Sequence, residues 1–272
     1  MRSRLLANRL SRLLVQPLLL VLLGAATWLL PLSGWAQGAV WSLPTREGVK
    51  TPVYWEAAPR AWATVLLFPG GSGGLGKMEL GRPGSRNFLV RSAQDFLDQG
   101  INVAIFGRPN GQEIAPRDRL SEVHMQDIRQ VIQAVRAHSS LPLWLVGTSR
   151  GTTSVASAAS RLGDAGIAGV IMTSSIVAPQ EVGALPSLDL ASVRVPVLLM
   201  QHARDACPLC SPAAMRAVLA QFTQAPVKRL RIVDGGAHPT GGVCHALHWH
   251  GFIGMEHDMV QRMAQWMRHP EP

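Results

Sequence analysis

The sequence predicts an α/β fold, a mostly parallel sheet with helices on both faces, and three observations predict it. Apolar runs of strand length alternate with stretches of helical periodicity from residue 39 onward. One such run, 141–146, passes directly into Gly147-Thr148-Ser149-Arg150-Gly151 and then into small residues suited to a helix, 152–162. No internal repeat or low-complexity linker divides residues 37–272, a length that a single large core accommodates.

The elements follow in chain order. Residues 39–43 and 51–55 read as an opening antiparallel pair, and 63–68 as a buried strand that ends in the glycine loop 69–76. A helix is expected over 87–98, closed by Gly100, and a strand over 101–106. Residues 107–120 read as a polar loop. Ser121 can cap the next helix, whose apolar stripe Ile128, Val131, Ile132 and Val135 has helical spacing. Strands follow at 167–172 and 195–200, then a helix at 211–222, a last strand at 229–233 and a closing helix at 253–267. That helix gathers Met255, Met259, Met263 and Trp266 on one face. The link 174–194 is too short for a sizeable lid.

Residues 1–36 read as an export signal. Arg2, Arg4, Arg9 and Arg12 form a basic start without an acid, 17–32 is apolar, and Gly34-Trp35-Ala36 offers small residues for cleavage after Ala36. The apolar stretch is short for a span of about 20 residues, so no stable membrane anchor is expected after cleavage. No cysteine precedes Cys207, which leaves no lipid-attachment cysteine, and no adjacent arginine pair marks the twin-arginine route. The expected location is periplasmic or secreted. The net charge of +9 falls by four with the signal arginines, and the remaining basic residues are scattered without interleaved aromatics. That distribution argues against a nucleic-acid partner.

Strand, then Gly-x-Ser-x-Gly, then helix is the context of a nucleophile elbow, and it narrows the expectation to an α/β-hydrolase fold. The turn lifts the Ser149 hydroxyl above the sheet. It also points the N-terminus of the next helix at the reacting centre, where the Arg150 N–H can meet an oxyanion. A serine hydroxyl needs a base, and the base needs an acid, in the chain order Ser, acid, His. Asp205 lies just beyond the strand 195–200, with Asp189 as its rival. His238 and His250 both follow the last strand, and spacing alone does not separate them. The glycine loop after the early strand supplies a second oxyanion donor, the Gly71 N–H, with Gly70 or Ser72 as neighbours that could serve.

Two other readings of that loop fail. Gly71-Ser72-Gly73-Gly74-Leu75-Gly76 matches a dinucleotide fingerprint, and 71–77 nearly matches a phosphate loop. Met78 stands where Ser or Thr must hold magnesium, and Gly81 and Pro83 interrupt any helix. No cofactor is expected. The run His245-Ala246-Leu247-His248-Trp249-His250 lacks H-E-x-x-H and a second cluster, so no metal is expected there. Cys207-x-x-Cys210 with Cys244-His245 also resembles a zinc site, but export and an odd count of three cysteines favour one disulfide.

Four segments carry a resemblance to a family of exported bacterial α/β-hydrolases. They are Asn87-Phe88-Leu89-Val90-Arg91-Ser92, residues 145–152 around Ser149, residues 202–207, and Cys244 through His250-Gly251-Phe252-Ile253-Gly254-Met255-Glu256. The resemblance implies the fold and a serine hydrolase. It implies that the His-Gly-Phe histidine, His250, is the base, and that Cys207 pairs with Cys244. Cys210 is a departure that leaves the partner of Cys244 open. The expected activity is hydrolysis of a carboxylic ester or related acyl bond of a small molecule. Amidase, thioesterase or acyltransferase chemistry would use the same residues, and a non-catalytic envelope binding protein would keep the fold without needing them.

Overall fold

The computed structural model describes residues 38–163 and 166–272; the export segment expected over 1–36 lies outside them. Strands β1 (Ala39–Arg46) and β2 (Val49–Glu56) form the opening antiparallel pair. β3 (Ala63–Phe68) is buried along its length because every position packs against a neighbour in the sheet or a helix above or below it. A two-residue hairpin, β4 (Met78–Glu79) and β5 (Arg82–Pro83), follows the glycine loop. Then come α1 (Phe88–Arg91), α2 (Ala93–Asp98), β6 (Ile101–Phe106), α3 (Glu122–His138), β7 (Leu143–Thr148) and α4 (Gly151–Arg161). The chain ends through β8 (Ile167–Thr173), β9 (Val197–His202), α5 (Met215–Gln221), β10 (Lys228–Val233) and α6 (Glu256–Arg268).

Eight strands make one sheet in the order β1-β2-β6-β3-β7-β8-β9-β10. β2 alone runs antiparallel to the rest, paired antiparallel with both β1 and β6, and every pair from β6 to β10 is parallel. Alternation along the strands divides the core. Leu66 and Phe68 face the α3, α4 and α5 side, and Val65 and Leu67 face the α1, α2 and α6 side. The chain steps from β3 outward to β6, then returns to place β7 on the other side of β3. Such a reversal opens a crevice at the carboxyl ends of β3 and β7. Among the described residues no helix is long and apolar enough to cross a membrane.

Several element boundaries differ from expectation, each for a local reason. The helix expected over 87–98 is two short helices that meet at Ser92. The strand before the elbow starts at Leu143, after Pro142, and carries on through Thr148. Pro196 likewise delays β9 to Val197. The helix expected from 211 opens as a 3-10 turn, Pro212–Ala214. The closing helix begins at Glu256 rather than 253, because Phe252 and Gly254 adopt left-handed backbone (φ 56° and 72°) that a helix cannot continue through. The loop 107–120 is not wholly solvated, since Ile114 and Arg119 are buried.

Ser121 caps α3 by accepting from the His124 N–H. His124 is buried, with its Nε2 3.0 Å from Ser154 Oγ. Burial, reinforced by the Arg119 and Arg46 cations, lowers its pKa from 6.5 to about 3. The unfolded chain therefore binds one more proton than the fold between those values, so stability falls as pH drops from 6.5 toward 3 and is unaffected above 6.5. Denaturant unfolding at pH 6.5 and 4.5 should show a loss of about 2–3 kcal/mol from this group. His124→Gln should show a correspondingly shallower acid slope, and an unchanged slope would contradict this.

Candidate active site

Ser149 sits between β7 and α4 with left-handed backbone (φ 52°), an uncommon state for a side-chain-bearing residue. Neighbouring bonds hold it there. Its N–H donates to Thr173 O at 2.9 Å, and its carbonyl accepts from Thr152 N (2.9 Å) and Thr152 Oγ1 (2.7 Å). The glycines of the motif are a packing requirement. A Cβ on Gly151 would lie 2.0 Å from Phe68 O, and one on Gly147 would lie 2.7 Å from Gly151 O. The loop after β3 is equally close: a Cβ on Gly70 would lie 2.9 Å from Ser149 Cβ and from Thr148 O.

Asp205 follows β9 and is buried at 5% exposure. Its Oδ1 accepts the Cys207 N–H at 3.0 Å, and its Oδ2 accepts Gln201 Nε2 at 2.7 Å. The same Oδ2 lies 3.0 Å from His250 Nδ1. His250 is 4% exposed and sits in the 3-10 turn Trp249–Gly251. Three anchors hold that turn. Ser174 Oγ donates to His250 O at 2.7 Å, Arg91 donates to Gly251 O and pairs with Glu256 at 2.7 Å, and Phe252 packs on Phe88 with ring centroids 5.0 Å apart. A carboxylate on Nδ1 fixes the ring orientation and, when it accepts the Nδ1 proton, leaves Nε2 as the basic nitrogen.

Ser149 and His250 line the same cavity, about 630 Å³, together with Gly70, Gly71, Asn87 and His245. Asp205 bonds to His250 without lining the cavity; Ser149 follows β7, Asp205 follows β9, and His250 lies in the loop between β10 and α6. The alternatives lie elsewhere. His238 is exposed and does not line this cavity, and Asp189 is exposed and bonded to Ser192 Oγ. Trp249, a candidate pocket wall by position, instead stacks on His202 (centroids 6.0 Å) beneath the Arg204 guanidinium at 4.3 Å.

Arg150 opens α4, and its side chain pairs with Glu181 at 2.9 Å. In the glycine loop, Gly70 O accepts from Gly73 N at 3.0 Å. Because a trans peptide points its C=O and N–H in opposite directions, that bond turns the Gly71 N–H of the same peptide the other way. Gly71 itself has φ 58° and borders the cavity.

Cys207 and Cys244 form a disulfide with Cα atoms 4.7 Å apart, and Cys210 is a buried free thiol. Burial, then the nearby Asp205 carboxylate, pushes the Cys210 pKa up. Donor atoms of Cys207, Cys210 and His250 lie within 4.8 Å of one another. The Cys207 sulfur is committed to Cys244, and His250 Nδ1 to Asp205. The bond thus joins the loop of Asp205 to the loop of His250.

Four residues of this arrangement were not singled out by their types in sequence: Gln201, Ser174, the anchoring side chain of Arg91, and Arg119, whose Nη2 donates to Gly71 O at 3.0 Å. Arg91 falls within the resembling segment Asn87–Ser92, which was the one signal toward it.

No protein-family model and no curated protein matches the sequence. Solved structures do match. A lidless α/β serine hydrolase from Xanthomonas campestris is 18% identical, with 86% of this chain and 93% of that chain covered and a TM-score of 0.56. A dienelactone hydrolase from Anabaena variabilis is 18% identical over 86% and 98% of the two chains, TM-score 0.60. An esterase from Pyrococcus furiosus is 13% identical over 85% and 90%, TM-score 0.61. At this identity the likeness concerns the fold: a mostly parallel eight-stranded sheet flanked by helices, the α/β-hydrolase fold without a lid.

Proposed function

We propose that this chain is an exported serine hydrolase that cleaves a carboxylic ester or related acyl bond through Ser149, His250 and Asp205. The observation that carries the proposal is the His250 Nδ1 to Asp205 Oδ2 contact of 3.0 Å behind a cavity that Ser149 also lines. Hydrolase and esterase names among the structural neighbours support it. In this reading residues 1–36 are cleaved on export to the periplasm or beyond, and 37–272 act as one domain.

Ser149 Oγ attacks the carbonyl carbon while His250 Nε2 takes its proton. The N–H groups of Gly71 and Arg150 receive the negative charge that collects on the carbonyl oxygen. Asp205 stabilises the imidazolium through Nδ1. His250 then gives its proton to the leaving alcohol as the carbon–oxygen bond breaks. Water, deprotonated by His250, attacks the acyl-enzyme, and the acid is released with Ser149 reprotonated. An open cavity without a lid suits small acyl substrates that need no enclosure. The test is turnover of short p-nitrophenyl esters by the purified, disulfide-intact protein. Hydrolysis is expected, and folded protein that cleaves no short ester, thioester or amide would contradict the proposal.

The disulfide gives a further prediction. A bond across 37 residues contributes about 4 kcal/mol in the chain-entropy model. Its larger effect is on geometry, because it ties the acid's loop to the base's loop. Reduction should lower ester turnover while far-UV circular dichroism still reports an intact sheet. Full turnover by reduced, folded protein would show that the other anchors suffice.

A further inference from the structure

Arg119 is 1% exposed, the only fully buried arginine or lysine among the described residues. Its guanidinium donates through Nη1 to Ser154 Oγ at 2.9 Å, and through Nη2 to Gly71 O at 3.0 Å and Pro69 O at 3.4 Å. Its Nε has no partner, and among the described residues no carboxylate forms an ion pair with it. Burial, then the nearby Arg150 cation, lowers its pKa from 12.5 to about 10 against the opposing pull of the Asp118 carboxylate, so it remains a cation at neutral pH.

Stability does not account for such a residue. Burying a charge without a bonded counter-ion costs several kcal/mol, and an apolar side chain of similar volume would fill the space without that cost. The bonds point to a different role. Arg119 grips the two carbonyls on either side of the peptide that carries the Gly71 N–H. The middle carbonyl, Gly70 O, is held by Gly73 N, and Arg108 Nε donates to Gly73 O at 3.0 Å. With Ser72 O accepting from Ile114 N at 3.0 Å, every peptide plane from Pro69 to Gly73 is set.

We propose that Arg119 is a positioning residue for the oxyanion-binding loop: it clamps Pro69 O and Gly71 O, aims the Gly71 N–H into the cavity, and leaves its own positive charge behind the place where negative charge develops. This rests on the serine-hydrolase reading. No carboxylate bonds to Arg119 in the resting protein, where Asp118 acts on it only through space, and the cation gains a further negative partner as the tetrahedral intermediate forms. That difference between ground and transition state is what accelerates a reaction. Ser154 and His124 complete the support, with Ser154 Oγ bonded to both Arg119 and the neutral His124 ring.

The experiment compares wild type, Arg119→Met and Arg119→Lys as full-length mature proteins. Loss of the clamp in Arg119→Met should lower kcat on the order of 100-fold, with KM within about threefold of wild type. Affinity for a trifluoromethyl ketone, whose adduct with the serine carries the oxyanion, should fall by the same factor as kcat/KM. Affinity for the product carboxylate should be unchanged, and Tm should stay within about 4 °C of wild type or rise. Arg119→Lys keeps the charge but lacks the fork that spans two carbonyls, so it should recover only part of kcat. Wild-type kcat in either folded variant, or a kcat loss with unchanged trifluoromethyl ketone affinity, would overturn the proposal. If Arg119→Met does not fold, the same readouts on Arg119→Lys decide it. A wild-type protein inactive on every acyl substrate refutes the hydrolase reading instead, whereas active wild type with indifferent Arg119 variants refutes only this role.

Discussion

Ser149→Ala is expected to lower turnover of a short activated ester by about 10⁴–10⁶-fold while leaving the fold intact. The expectation comes from the elbow. Ser149 is held in left-handed backbone by bonds that its side chain does not make: the Thr173 carbonyl receives its N–H, and Thr152 donates twice to its carbonyl. Alanine keeps all of them, so the change removes the hydroxyl without releasing the turn. The Gly71 and Arg150 N–H groups remain, and they would leave a residual rate above that of water. Undiminished turnover by folded Ser149→Ala would remove the serine mechanism.

The second large effect separates two histidines that sequence spacing left level. His250→Ala should be nearly inactive, with a loss of roughly 10⁴-fold or more, and His238→Ala should keep most of the wild-type rate. His250 bonds to the buried Asp205 carboxylate and shares a cavity with Ser149, while His238 is exposed outside that cavity. Asp205→Asn should fall between these extremes, since the imidazole stays near its place but loses the group that selects its tautomer. Steady-state kinetics on folded variants checks the order. Loss confined to His238→Ala would show that the base comes from elsewhere.

What could be read in the sequence follows from how local each signal is. The elbow was legible because strand, glycine, serine and glycine are contiguous, and their geometry is set within a few residues. The central strands were legible because both faces of the sheet are covered, so each reads as a continuous apolar run. Boundaries slipped where one residue acts through its backbone, as Pro196 does at β9 and Phe252 does ahead of α6. The histidine was not legible from spacing, because 238 and 250 are equally reachable from β10; the His-Gly-Phe resemblance favoured 250. Arg119 was least legible of all. In a polar, proline-containing stretch an arginine reads as solvated, and its burial arises from the distant partners Gly71 and Ser154. Gln201 and Ser174 were hidden in the same way, since each acts on a side chain or turn that only the folded sheet brings near.

The measurement that bears most directly on the account is fluorophosphonate labelling of the purified mature protein, followed by peptide mapping with the disulfide intact. The reagent reports a serine that is both nucleophilic and backed by an oxyanion site. The account predicts one adduct, on the peptide that contains Ser149, its formation suppressed in His250→Ala. No adduct on folded protein, or an adduct on any other serine, would contradict it.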